Sequence, residues 1–137
     1  MAEILADTDQ GGVTGLIDSV IQLQQAQDFK RLAQLFDTLE AAEIAHLLES
    51  LPDTRRAGIW KLLPEEVRGE VLAHLGEVAR LSLVENIDRV DVVYAASGLE
   101  TQDLADVIET LPEEIGEAIR ESLDYHGLRK LEAALAF

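Results

Sequence analysis

Large aliphatic residues recur every twelve positions along most of the chain. These lead residues are Leu39, Leu51, Leu63, Leu75, Ile87, Leu99, Leu111, Leu123 and Leu135. An apolar pair follows eight and nine positions later, at Leu47-Leu48, Ile59-Trp60, Val71-Leu72, Leu83-Val84, Ala95-Ala96 and Val107-Ile108, and weakens to Ile119-Arg120 and Leu131-Glu132. Residues four apart share one face of a helix, whereas a strand would alternate apolar and polar positions. The pattern therefore predicts a helical repeat of twelve residues.

Turn signals fall at the same place in several units. Pro52, Pro64 and Pro112 each follow a lead leucine, and proline suits the first turn of a helix, where its missing N–H is harmless. Helices of two to three turns are marginal alone in water, so they must stack their apolar faces on neighbouring units. The predicted fold is all-α, a right-handed superhelix (solenoid) of short helices with a twelve-residue repeat.

The first residues depart from this repeat. Residues 1–12, with Gly11-Gly12 at their end, are expected to be a flexible lead-in, and residues 13–137 a single helical domain. The apolar pattern in Val13–Ala26 predicts an amphipathic helix. Asp28 is expected to cap the start of a second helix. These two helices are expected to cap the array. The last helix carries apolar residues with no following unit, which is typical of a piece of a longer protein.

Charge narrows the choice of partners. The 137 residues include 27 Asp and Glu against 11 Lys and Arg, a formal charge of −16. Nucleic acid and anionic membrane surfaces bind proteins with a surplus of lysine and arginine, whereas this chain has a surplus of acidic residues. Cations or basic protein surfaces are therefore the expected partners. The sequence holds no cysteine, which excludes disulfides and thiolate metal sites. It also lacks the run of about 18 apolar residues that a membrane helix needs, and its acidic start does not resemble a signal peptide.

Catalytic signatures are absent from the sequence. The three histidines, His46, His74 and His126, are scattered, and none forms the i, i+4 pair of a zinc-binding helix. No serine has the setting of a nucleophile elbow, and no glycine-rich phosphate loop follows a strand. The chain is therefore not expected to be an enzyme.

Carboxylates are the most informative polar residues. An acidic strip recurs every three residues at Glu100, Asp103, Asp106 and Glu109. Glu70 and Asp106 are the carboxylates that stand seven residues after a lead leucine, just before the apolar pair. Hard divalent cations bind oxygen ligands, and Mg²⁺ keeps most of its waters and takes one or two carboxylates. Acidic runs are more often simply solvated, so these positions alone leave both interpretations open.

Two segments resemble a known family. One resembles a recurring sequence motif of the MgtE magnesium channel/transporter family. It consists of Leu99-Glu100-Thr101-Gln102-Asp103-Leu104-Ala105-Asp106 followed by Leu111-Pro112-Glu113-Glu114. Residues 62–75 resemble a second segment of that family. The likeness covers about Phe29 to Phe137. It implies a cytoplasmic N-terminal regulatory domain, which in the family precedes a pair of CBS modules and a transmembrane pore domain. Neither is found in this chain.

The resemblance implies a magnesium sensor. Mg²⁺ between the acidic surfaces of the N domain and the CBS pair would hold the closed state of the parent protein, a homodimer in the bacterial inner membrane. The implied metal ligands are Glu70, Asp103 and Asp106. Gln102 departs from the family pattern, because the family often has an aspartate there. The fragment itself is expected to lie on the cytoplasmic side without entering the membrane.

One alternative is a protein-binding scaffold. Flagellar rotor proteins of the FliG type carry similar short-helix repeats with Leu-Pro turns and act purely in assembly. Such a module would use a groove or an exposed apolar patch rather than cations. The acidic residues between Glu100 and Asp124 and the Ala105-Asp106 match favour the sensor.

Overall fold

The computed structural model describes residues 15–136, and this part of the chain consists of short helices without any strand. Residues 15–25 are helical and are named α1. The following helices are α2 (Phe29–Asp37), α3 (Ala41–Ser50), α4 (Asp53–Trp60), α5 (Glu65–His74), α6 (Glu77–Val84), α7 (Arg89–Ser97), α8 (Thr101–Glu109), α9 (Glu113–Ser122) and α10 (Tyr125–Leu135). The lead-in predicted for residues 1–12 lies outside the described residues.

The twelve-residue repeat is confirmed by the helix boundaries. From α2 onward each helix begins twelve residues after the previous one, from Phe29 to Tyr125. The apolar pairs are buried in every unit up to Val107-Ile108, and their first member is still buried in the last two units, at Ile119 and Leu131. The lead residues up to Leu123 lie in the turns that follow the helices. Their side chains are buried or pack against the core.

Most of the extensive helix contacts join helices that are two units apart in the chain. Helix α3 packs on α5, α5 on α7, and α7 on α9, while α4 packs on α6 and α8 on α10. From α3 to α9 the odd-numbered helices thus form one continuous row in which each helix meets the next but one along the chain, and the pairs α4–α6 and α8–α10 show the same spacing. This packing is that of a helical solenoid. Helix α5 also contacts α8, which brings two of the acidic helices together.

Gly69 allows a close approach within the row of odd-numbered helices. A Cβ atom at this position would lie 2.5 Å from the backbone oxygen of Ala95, so only glycine lets the backbones of α5 and α7 come so near. Gly69 is buried and directly precedes the exposed Glu70. The spacing of α5 and α7 therefore depends on a missing side chain.

The start of the described chain matches the predicted pair of helices. Gln27 takes a left-handed backbone conformation, with φ 57°, between α1 and α2. The side chain of Asp28 accepts a hydrogen bond from the backbone N–H of Arg31 at 3.3 Å, which confirms the predicted helix cap. Leu16 and Val20 of α1 join the same core as α2. Among the residues 15–136, no helix is both long enough and apolar enough to cross a membrane.

Candidate functional site

A groove opens between α5 and the turn from α7 to α8. Its volume is about 590 Å³. The residues that line it are Glu70, Ala73, His74, Gly98, Leu99, Glu100 and Asp103. Its polar side chains are thus three carboxylates and one imidazole, all exposed, and no lysine or arginine is among these described lining residues. The groove is a negatively charged, solvent-accessible concavity.

The repeat explains why Glu70 and Asp103 face this groove. Glu70 precedes the buried pair Val71-Leu72, so the helix turns its carboxylate away from the core. Asp103 lies in the first turn of α8, before the buried Leu104. The structure therefore brings together two of the three sequence-predicted ligands, from helices that are three units apart. Glu100 and His74, which the sequence did not single out as ligands, line the same groove.

A second groove continues the acidic surface between α5 and α7. It has a volume of about 340 Å³ and shares Glu70, Gly98 and Leu99 with the first groove. Glu65 and Glu66 line its other end, beside Tyr94. Both glutamates are in the first turn of α5, where the helix dipole favours negative charge. The two grooves together form a continuous acidic surface along α5.

Asp106 lies outside the lining of both grooves. It is exposed on α8. Its charge acts on the buried guanidinium of Arg80: burial lowers the pKa of Arg80, and the carboxylates of Glu77 and then Asp106 oppose that shift by favouring the protonated form. Asp106 thus has a basic neighbour that Glu70 and Asp103 lack in the lining of their groove.

The predicted ligands do not form a complete metal cage in the described residues. No group of three or more His, Asp or Glu side chains between residues 15 and 136 is close enough to hold a metal ion by itself. Carboxylate oxygens nevertheless suit a hard cation, and Mg²⁺ commonly takes only one or two of them. Gln102 is exposed on α8 and is not among the residues that line the groove.

Arg80 is a structural residue near this site that the sequence interpretation did not identify. Its Nε donates to the carbonyl oxygen of Leu72 at 2.9 Å, and its Nη2 donates to those of Ala73 and Leu75 at 3.0 and 2.8 Å. Its Nη1 donates to the hydroxyl of Thr110, which follows α8. The side chain therefore ties the end of α5 to the end of α8, the two helices that carry Glu70 and Asp103.

A repeat signal could have revealed this arginine. Arg56, Arg68 and Arg80 stand at the same position in three consecutive twelve-residue units. All three donate to carbonyl oxygens in the last turn of the preceding helix or just after its end. An arginine that recurs with the repeat indicates a structural capping role, because the last carbonyls of a helix lack partners within it.

The chain was also compared with known protein families. The model of the MgtE intracellular N domain matches residues 39–137, which includes the groove and both helices that line it. The comparison with curated proteins gives no match.

Proposed function

The chain belongs to the MgtE intracellular N domain family, and we propose that it senses Mg²⁺ through the groove between α5 and α8. Membership of this family means that the chain is the N-terminal domain of a magnesium transporter. The family consists of regulatory domains and is not an enzyme family. In the proposal, Mg²⁺ bridges this groove to an acidic CBS-domain surface of the parent protein and favours its closed state. Residues 13–137 act as one regulatory domain of a homodimeric parent, on the cytoplasmic face of the bacterial inner membrane.

The single observation that carries the proposal is the groove itself. Glu70, Glu100 and Asp103 converge on one concavity from two sides, without a lysine or arginine among the described lining residues to neutralise them. Carboxylate oxygens are preferred ligands of Mg²⁺, and its retained waters can bridge to a second surface. The absence of a three-ligand cage within residues 15–136 agrees with a site that two domains share.

The mechanism is an electrostatic switch. Two anionic surfaces repel each other, and a divalent cation between them reverses the sign of that interaction. Mg²⁺ therefore favours the arrangement in which the surfaces meet, and its loss shifts the population towards the separated state. Glu70 and Asp103 are assigned the direct role because they line the groove. Asp106 adds negative charge on α8, partly offset by Arg80.

Titration of this chain with the CBS-domain pair of its parent protein tests the proposal. Association measured by calorimetry should require millimolar Mg²⁺ and disappear on addition of a chelator. Glu70→Gln should raise the Mg²⁺ concentration at half-association several-fold, because it removes one charged ligand. Glu132→Gln, an equal charge change at an exposed position of α10, is the matched control and should have little effect.

Two outcomes would contradict the sensor. Association that is indifferent to Mg²⁺ would favour the scaffold function of the FliG type. Equal shifts in Glu70→Gln and Glu132→Gln would mean that net charge, rather than the groove, determines the response.

A further inference from the structure

Two large apolar side chains are left exposed one turn apart on α7. Val90 is 75% exposed and Tyr94 is 67% exposed. Positions four apart lie on the same face of a helix. Beside them, Val93 of α7 and Ala118 of α9 line a groove of about 450 Å³ between the two helices. Exposed apolar residues that adjoin a groove are more informative than scattered ones, because they form a continuous patch.

The charges around this patch are distributed unevenly. Arg89, at one end of the groove, donates to a carboxylate oxygen of Glu114 at 3.2 Å, so its positive charge is already paired. Glu121 lines the groove on the side of α9. Tyr94 lines this groove and also the neighbouring α5–α7 groove, where Glu65 and Glu66 lie. The apolar patch of Val90 and Tyr94 thus lies next to the acidic pair Glu65 and Glu66, and Tyr94 lies between the two.

We propose that this α7–α9 groove docks a basic amphipathic segment of a partner protein. Its apolar side chains would enter beside Val90 and Tyr94, and its lysines or arginines would face the carboxylates of Glu65 and Glu66. This interaction goes beyond the magnesium response, since it needs neither Mg²⁺ nor an acidic partner surface.

Charge complementarity selects this occupant over two others. A second copy of the chain would bring another formal charge of −16 towards Glu65 and Glu66. An anionic membrane surface would be repelled for the same reason. A helix with one apolar face and one basic face complements both the apolar patch of Val90 and Tyr94 and the acidic pair Glu65 and Glu66. Helix-in-groove binding of this kind relies on apolar anchors one turn apart.

The test uses the full 137-residue chain and a defined probe. The probe is a fluorescein-labelled helical peptide with leucines on one face and lysines on the other, followed by fluorescence anisotropy at physiological salt. Tyr94→Ser and Val90→Ser should each weaken binding about tenfold, as truncation of an interface anchor does. Val78→Ser is the matched control, because Val78 is 84% exposed on α6, and should leave binding unchanged.

A second set of variants tests whether the carboxylates of Glu65 and Glu66 contribute to peptide binding. The double variant Glu65→Gln/Glu66→Gln should weaken binding several-fold, whereas Glu109→Gln/Glu132→Gln removes as much charge elsewhere and should weaken it less. The proposal would be overturned if the unsubstituted chain and all variants bound the peptide equally weakly, or if the lysine peptide did not bind measurably. It would also be overturned if a peptide with glutamate in place of lysine bound equally well. A dimer in sedimentation that Val90→Ser abolishes would instead assign the groove to a second copy.

Discussion

Arg56 and Arg80 occupy equivalent positions two units apart, and both are buried, with 9% and 6% exposure. The Nε of Arg56 donates to the carbonyl oxygen of Leu48 at 2.8 Å, and its Nη2 donates to that of Glu49 at 3.1 Å. Arg80 repeats this arrangement on Leu72 and Ala73. Each arginine lies on one helix and satisfies the last carbonyls of the helix before it, α3 in one case and α5 in the other.

The two regions differ in the partner of the remaining nitrogen. Nη1 of Arg56 pairs with the exposed carboxylate of Asp53 at 2.7 Å, three residues away on the same helix. Nη1 of Arg80 donates to Thr110, thirty residues away beside α8. One position of the repeat is therefore a local cap in the first region and a tie between three helices in the second. The contacts of Arg80 join α5 to the end of α8, and the spacing of these two helices sets the distance between Glu70 and Asp103 in the candidate site.

Truncation of the two arginines should show the largest difference. Arg80→Ala should lower the free energy of unfolding by about 3 kcal/mol, because it leaves buried carbonyls unpaired and releases α8. Arg56→Ala removes the matching cap but no long-range tie and should cost about 2 kcal/mol. Urea unfolding followed by circular dichroism measures both. A greater loss in Arg56→Ala would show that the bond to Thr110 adds nothing.

Glycine substitutions should sharpen the contrast between the same two regions. Gly69→Ala in α5 forces a Cβ against the backbone oxygen of Ala95 and should cost about 2 kcal/mol, since neither helix can yield cheaply. At Gly58 in α4 the added Cβ meets the end of the Gln24 side chain, which can move aside. Gly58→Ala should therefore be neutral or gain up to about 1 kcal/mol of helix propensity. Thermal unfolding would refute this contrast if both variants moved the midpoint in the same direction.

The smallest expected effects isolate the two Nη1 partners. Thr110→Val removes the acceptor of a buried guanidinium and should cost about 1–2 kcal/mol. Asp53→Asn weakens a pair whose carboxylate is mostly exposed and should cost less than about 1 kcal/mol. The double variants Thr110→Val/Arg80→Ala and Asp53→Asn/Arg56→Ala measure the coupling within each pair by chemical denaturation. Equal coupling in both pairs would contradict the distinction between a local cap and a long-range tie.

The candidate site was predictable only in part. Glu70 and Asp103 were expected from the acidic spacing and the family resemblance, and both line the groove. Asp106 was selected by the same reasoning, but the influence of its charge on the buried Arg80 was not foreseen. Their role as metal ligands remains a prediction. Spacing shows which face of a helix a carboxylate occupies, whereas its neighbours across the molecule depend on how the helices stack.

The sequence by itself determined the all-helical class, the twelve-residue unit and its buried positions, and the family. A helix has a constant period, so the apolar pairs and the prolines after lead leucines define each unit from local residues alone. Only the tertiary structure decided that the helices from α3 to α9 alternate so that α3, α5, α7 and α9 pack in succession, and that α5 approaches α8. Those contacts join residues far apart in the chain, as Arg80 and Thr110 are, and the twelve-residue period contains no information about which units meet.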